Sequence, residues 1–166
     1  MNTKSLTLLA LSLTVLLGCG ILGQSSEEKK AEKERVALAV NRQLDAKDYE
    51  IEINYMMPLR GGGQIVSGSY AIIVKDAVID SHLPYVGVAQ SVPYGGGKVL
   101  TFKDDIDKYA DAGWKKGLRT IVFSTNNEED TIQYTLDISE DGQVNVRVHC
   151  RERDDISYRG VLKTGE

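Results

Sequence analysis

Between residues 131 and 150 the chain alternates apolar and polar side chains with a period of two, and no other feature limits its fold as strongly. Ile132, Tyr134, Leu136 and Ile138 fall on one face, while Thr131, Gln133, Thr135 and Asp137 fall on the other. Successive side chains of an extended strand point to opposite sides, so this alternation describes a strand with one buried face. Asp141-Gly142 then supplies a turn. Val144, Val146, Val148 and Cys150 line the return strand opposite Gln143, Asn145, Arg147 and His149, which makes the pair a hairpin.

The same period recurs upstream. Tyr49, Ile51, Ile53, Tyr55 and Met57 alternate with Glu50, Glu52 and Asn54. Pro58 and Gly61-Gly62-Gly63 close that run, and Val66, Gly68, Tyr70, Ile72 and Val74 begin a second face. Shorter candidates lie at Ala77 to Leu83, Val99 to Lys103, Tyr109 to Trp114 and Leu118 to Ser124, with a last strand through Ile156, Tyr158, Gly160 and Leu162. About eight strands in series, with no helix between them, exclude a parallel βαβ sheet and predict an all-β antiparallel sandwich or barrel. The barrel is preferred, because closure removes the exposed edges that a secreted sheet must otherwise protect. This domain is expected to cover residues 49–166.

Before it lies a region of different character. Ala37, Val40 and Leu44 recur at helical spacing with Val36 beside them, and Glu27 to Arg35 is densely charged. Ser25 or Ser26 can cap such a helix, and Glu27 and Glu28 suit its positive end. One N-terminal helix is therefore predicted over residues 27–48, preceded by a Gly/Ser-containing linker over residues 19–26.

Residues 1–18 have the layout of a signal peptide: Lys4, an apolar run from Ser5 to Leu17, then Leu16-Leu17-Gly18-Cys19. At about 1.5 Å of rise per residue the run covers roughly 20 Å of a hydrocarbon core about 30 Å thick, too little to span it comfortably. The tetrapeptide resembles the lipobox of bacterial lipoproteins. That resemblance implies that Cys19 is diacylated and, after cleavage before it, becomes the new N-terminus. Two or more chains are what stable attachment requires. Gly20 is not the aspartate that marks inner-membrane retention in well-studied sorting systems, so the resemblance implies an outer-membrane lipoprotein of the bacterial envelope, facing the periplasm or the cell surface.

Composition excludes several functions. The formal charge of -4 offers no basic face for nucleic acid. With Cys19 acylated, Cys150 is the one remaining thiol of the two cysteines, so no intrachain disulfide forms and the core must hold the domain together.

Leu83-Pro84-Tyr85-Val86-Gly87, Ser91-Val92-Pro93-Tyr94-Gly95-Gly96-Gly97 and Ile156-Ser157-Tyr158-Arg159-Gly160 stand out from generic strand and loop. With the preceding helix they resemble an uncharacterised family of Gram-negative lipoproteins, the domain-of-unknown-function family 4251. The resemblance covers most of the chain after Glu32. It implies a lipocalin-like antiparallel barrel and no known activity.

The chemistry-bearing residues are sparse. His82 and His149 are far apart, and no ligand spacing for zinc is present, so neither a metal nor another cofactor is expected. Cys150 shares the register of the buried valines and reads as a small hydrophobe rather than a nucleophile. Gly97-Lys98 is followed by Val99 instead of Ser or Thr, which rules out a phosphate-binding loop. Asp104, Asp105, Asp107 and Asp111 lack the glycine and terminal glutamate of a calcium loop and read as a solvated acidic stretch.

Tyr85, Tyr94 and Trp114 remain as candidate ligand-binding aromatics at a barrel mouth. The expected function is accordingly a noncatalytic binding or accessory module on a membrane tether, taking a small apolar or aromatic ligand or an envelope partner. Two alternatives stand beside it: a structural adaptor with a filled barrel, and an envelope hydrolase using carboxylates such as Glu50, Glu52 or Asp80.

Overall fold

A computed structural model describes residues 26–88, 100–126 and 130–164. The leader, Cys19 and Tyr94 lie outside the described residues. Helix α1 spans Ser26–Ala46, with Glu27 and Glu28 in its first turn. Its early turns are solvated, and Arg35 pairs with Glu32 at 2.9 Å. Val40 and Leu44 are buried and Val36 packs beside them, so the helical spacing marked the docked face. The helix stops in a Schellman arrangement. Lys47 adopts φ 51°, its N–H reaches Leu44 O (3.2 Å), and the N–H of Asp48 reaches Gln43 O (3.1 Å). The expected end at Asp48 is thus two residues late. Among the described residues no helix is long and apolar enough to cross a membrane.

Among the described residues ten strands follow: β1 (Tyr49–Pro58), β2 (Gln64–Ile65), β3 (Ala71–Lys75), β4 (Val78–His82), β5 (Thr101–Asp105), β6 (Lys108–Lys115), β7 (Leu118–Asn126), β8 (Thr131–Ser139), β9 (Gln143–Cys150) and β10 (Ile156–Leu162). Their order is β5-β4-β3-β1-β10-β9-β8-β7-β6, with β2 paired to β1 off that path. Every pairing is antiparallel. The turns follow from residue chemistry. Asp76-Ala77 and Lys116-Gly117 both hold positive φ at two central positions, which matches the twist of tight hairpins. Gly142 (φ 81°) completes the three-residue β8–β9 turn.

The all-β expectation and the N-terminal helix agree with this architecture, but the sheet curls into a half-barrel of nine strands rather than a closed barrel. Among the described residues no ladder joins the edge strands β5 and β6. Only Ile106 and Asp107 separate them in sequence. The N–H of Ile106 donates to Ala77 O (2.8 Å) beside β4, and that of Asp107 donates to Ser124 O (2.9 Å) on β7. One bent run therefore supplies both edges, and this draws the sheet around its core.

A β-bulge corrects the reading of β1. Ile53 pairs with Gly160 and Tyr55 with Arg159, so Asn54 is an extra residue that turns the following side chains over. Met56 is buried in place of Tyr55 and Met57. Gly160 permits the bulge: a Cβ there would sit 2.3 Å from Glu52 O.

The concave side is packed solid by large residues. Tyr109, Phe123 and Tyr134 stack with centroids 6.1 and 5.0 Å apart. The Tyr134 hydroxyl crosses from β8 to donate to Ser81 Oγ on β4 (3.1 Å), and Ser81 donates to Leu100 O (2.9 Å). The Tyr158 hydroxyl donates to Pro84 O (2.7 Å). Opposite walls are thereby joined through the interior.

Candidate functional site

Chemistry-bearing side chains gather on the convex side of β1, β3 and β4. Alternation puts Glu50 and Glu52 outward on β1, and Asp80 and His82 outward on β4. Register then sets them in rows: Glu50 opposite Ile73, which is opposite Asp80, and Glu52 opposite Ala71, which is opposite His82. Ala71 is a small residue between longer neighbours, so a depression opens above it. The cleft measures about 300 Å³.

Tyr70 and His82 form one wall, with ring centroids 5.5 Å apart and planes 22° from parallel. Thr101 Oγ1 lies 3.4 Å from His82 Nδ1. Gly68 (φ 150°) lets the backbone pass close to the Tyr70 ring, since an added Cβ would come within 3.1 Å of it. On the other side Lys163 brings its ammonium to Glu50 (2.6 Å) and, more distantly, to Glu52 (3.9 Å). Its N–H also donates to Glu50 O. The bond to Glu50 raises the pKa of Lys163 and keeps the amine charged. Asp80 faces Lys103 at 3.9 Å.

The three carboxylates named for a hydrolase thus do share a cleft, together with His82. Side-chain exposure is 36% for Glu50, 59% for Glu52 and 47% for Asp80, so water reaches all three. Among the described residues no three His, Cys, Asp or Glu side chains are placed to hold a metal ion.

Tyr85 and Trp114 are not brought together. Tyr85 follows β4, and its hydroxyl donates to Asp154 O (3.1 Å) in the β9–β10 connection. Trp114 sits by the β6–β7 turn, at the opposite end of the sheet, and its indole N–H donates to Asn41 Oδ1 of α1 (2.6 Å). No common mouth forms between them, because β9 runs its whole length from one of these ends to the other.

Sequence reasoning missed the polar knot beside Trp114. Arg119, buried under α1, reaches Asp111 (Nε–Oδ2 3.0 Å) and Asp45 (NH1–Oδ1 2.7 Å). Asp111 therefore leaves the acidic stretch expected around Asp104 and serves a β6–α1 clasp. The guanidinium holds its carboxyl below the usual carboxylate range. The signal was available as an arginine in the apolar register of β7, between Gly117 and Ile121. Cys150 is buried, as its register implied, and burial pushes its thiol up to about 12, which leaves no thiolate. His149 is exposed and pairs with Asp155 at 2.7 Å.

The family model described as domain of unknown function, DUF4251, matches residues 28–162. Among solved structures, a DUF4251 family protein from Bacteroides eggerthii is similar with a TM-score of 0.62 and 18% identity, over 81% of this chain and 91% of that one. Such a likeness concerns the fold. No curated protein matches. The match from early α1 to the end of β10 takes in the whole half-barrel, and the chain belongs to the DUF4251 family.

Proposed function

We propose that the mature chain is a noncatalytic lipoprotein module, held at a bacterial envelope membrane by acyl chains on Cys19 and acting through the outer surface of its half-barrel. The observation that carries this reading is the filled interior. Tyr134 and Tyr158 are fully or almost fully buried and bonded across the space that a lipocalin-like carrier would leave open. Among the described residues the buried core side chains leave no open interior, and the functional surface in this reading is the outside. The open, solvated cleft supports binding over hydrolysis, since acid–base catalysis is favoured by desolvated surroundings.

The tether has a definite reach. From Cys19 to Ser26 seven peptide steps extend at most about 25 Å. Beyond them the 21-residue α1 is roughly 32 Å long. Its solvated, charge-dense first half acts as a stalk, and Val40 and Leu44 fasten the second half to the domain. The outer membrane is the destination that Gly20 favours. An adaptor role is the second reading, favoured by the same solid interior; it differs in needing no ligand on the convex face.

Replacing Cys19 by Ser tests the tether. We expect the variant to leave the membrane fraction, and the native protein to begin at residue 19 with added acyl mass. Native protein that still begins at Met1, or a Cys19→Ser variant that stays with the membrane, would refute the lipid anchor.

A further inference from the structure

The convex cleft sets an aromatic wall against carboxylates across a small floor, and we infer that it binds one ring of a saccharide, neutral or amine-bearing. This deepens the reading of the chain as a noncatalytic binding module by naming what its outer face takes.

Size comes first. A volume of about 300 Å³ lies at the lower end of the roughly 300–1,000 Å³ typical of small-molecule sites, which suits a single small polar ring. The hydrogen-bonding complement comes next. Glu50, Glu52 and Asp80 present acceptors, Lys163 presents a charged donor, and Ser69 does either. A sugar ring carries several hydroxyls that each donate and accept, and a carboxylate with two oxygens can take two neighbouring hydroxyl protons in charge-assisted bonds.

The wall adds a different kind of recognition. One face of a pyranose is lined with polarised C–H groups, and the negative face of an aromatic ring attracts them. Tyr70 and His82 support each other in a near-parallel stack, and Ile73 adds apolar floor beside Ala71. The platform is also rigid. β3 is hydrogen-bonded on both sides, to β1 and β4, so the floor stands in place before a ligand arrives.

Charge narrows the class. Three acidic side chains against one basic one line the cleft, so an anionic sugar is repelled and an amino sugar is welcomed. A metal ion fits less well, because Lys163 already occupies Glu50.

The test is ¹H–¹⁵N NMR of the mature acylated protein in a zwitterionic detergent, titrated separately with glucosamine, N-acetylglucosamine, its β-1,4 dimer and glucuronate. We expect saturating shifts at Ala71, Ile73 and His82 with the amino or N-acetyl sugars, in the millimolar range, and binding at least tenfold weaker for glucuronate. Ala71→Leu, which fills the floor, should weaken binding about tenfold or more without altering the melting temperature. Should that variant fail to fold, His82→Ala, at an exposed position, removes one of the two rings of the wall and should have the same effect. Absence of saturating shifts in the cleft with every neutral or amino sugar, shifts confined to another surface, or equal binding by the variants would overturn the inference while leaving the module reading intact. Cleavage of the dimer would instead overturn the noncatalytic reading.

Discussion

Arg119 joins three elements through one guanidinium, and its geometry decides how much that junction is worth. Its side chain is 9% exposed, Asp111 is 24% exposed, and Asp45 stands largely in water at 68%. Breaking a wholly buried pair by removing one partner costs roughly 3–5 kcal/mol, and an exposed pair contributes at most about 1 kcal/mol. Arg119→Leu falls between, at about 2 kcal/mol, measured by denaturant unfolding of the domain. The pH dependence has a fixed sign. The carboxyl of Asp111 titrates lower in the folded protein than in the unfolded chain, so its contribution is complete above the unfolded value of about 3.9 and is lost as pH falls through the lower folded value. Acid melting curves of Asp111→Asn should therefore be flatter than those of the native protein in this range. Parallel curves for the two would show that the clasp carries no linkage.

Among the elements, β1 and β10 make the tightest fit. Gly160 faces the bulged stretch of β1, and an added Cβ would meet Glu52 O at 2.3 Å and the Ile53 side chain at 3.0 Å. The first of these is backbone hydrogen-bonded in a ladder, so it cannot swing aside. Gly160→Ala should destabilise by about 3 kcal/mol, the upper range for forced overpacking, and shift the β1–β10 amide resonances. A variant that melts like the native protein would mean that the two strands part without cost. The same place shows what was legible in the sequence. Alternation located β7 to β10 well, because each has one buried face and carries no extra residue of its own. It failed after Ile53, since counting by twos cannot register an extra residue that only the partner strand makes apparent. Val66 to Tyr70 read as strand for the same reason: their spacing is right, but the ladder begins at Ala71. For the cleft, Glu50, Glu52 and Asp80 were visible as outward carboxylates. Their convergence was not, because it depends on the register of three strands and on Lys163, more than a hundred residues away from Glu50.

At the level of the whole molecule, the half-barrel is held shut from within as much as by its ladders. Tyr134 belongs to β8 and Ser81 to β4, which lie on opposite arms of the sheet, and the Tyr134–Ser81–Leu100 chain spans the space between. Burial raises Tyr134 and Tyr158 above the ordinary phenol value and keeps both hydroxyls protonated. Removing only the hydroxyl, in Tyr134→Phe, leaves Ser81 its bond to Leu100 and should cost about 1 kcal/mol. Removing the ring, in Tyr134→Ala, takes away the stacking partner of Phe123 and opens a cavity, at roughly 3–5 kcal/mol. That cavity is the decisive contrast. Native mass spectrometry of the native protein, purified from its host, should return the mass of the acylated mature chain with no further apolar guest. Tyr134→Ala, if folded, should gain affinity for a small aromatic such as indole. An apolar molecule retained by the unmodified protein would mean that the interior opens enough to carry cargo, and the functional surface would then have to be sought inside the sheet instead of on its convex face.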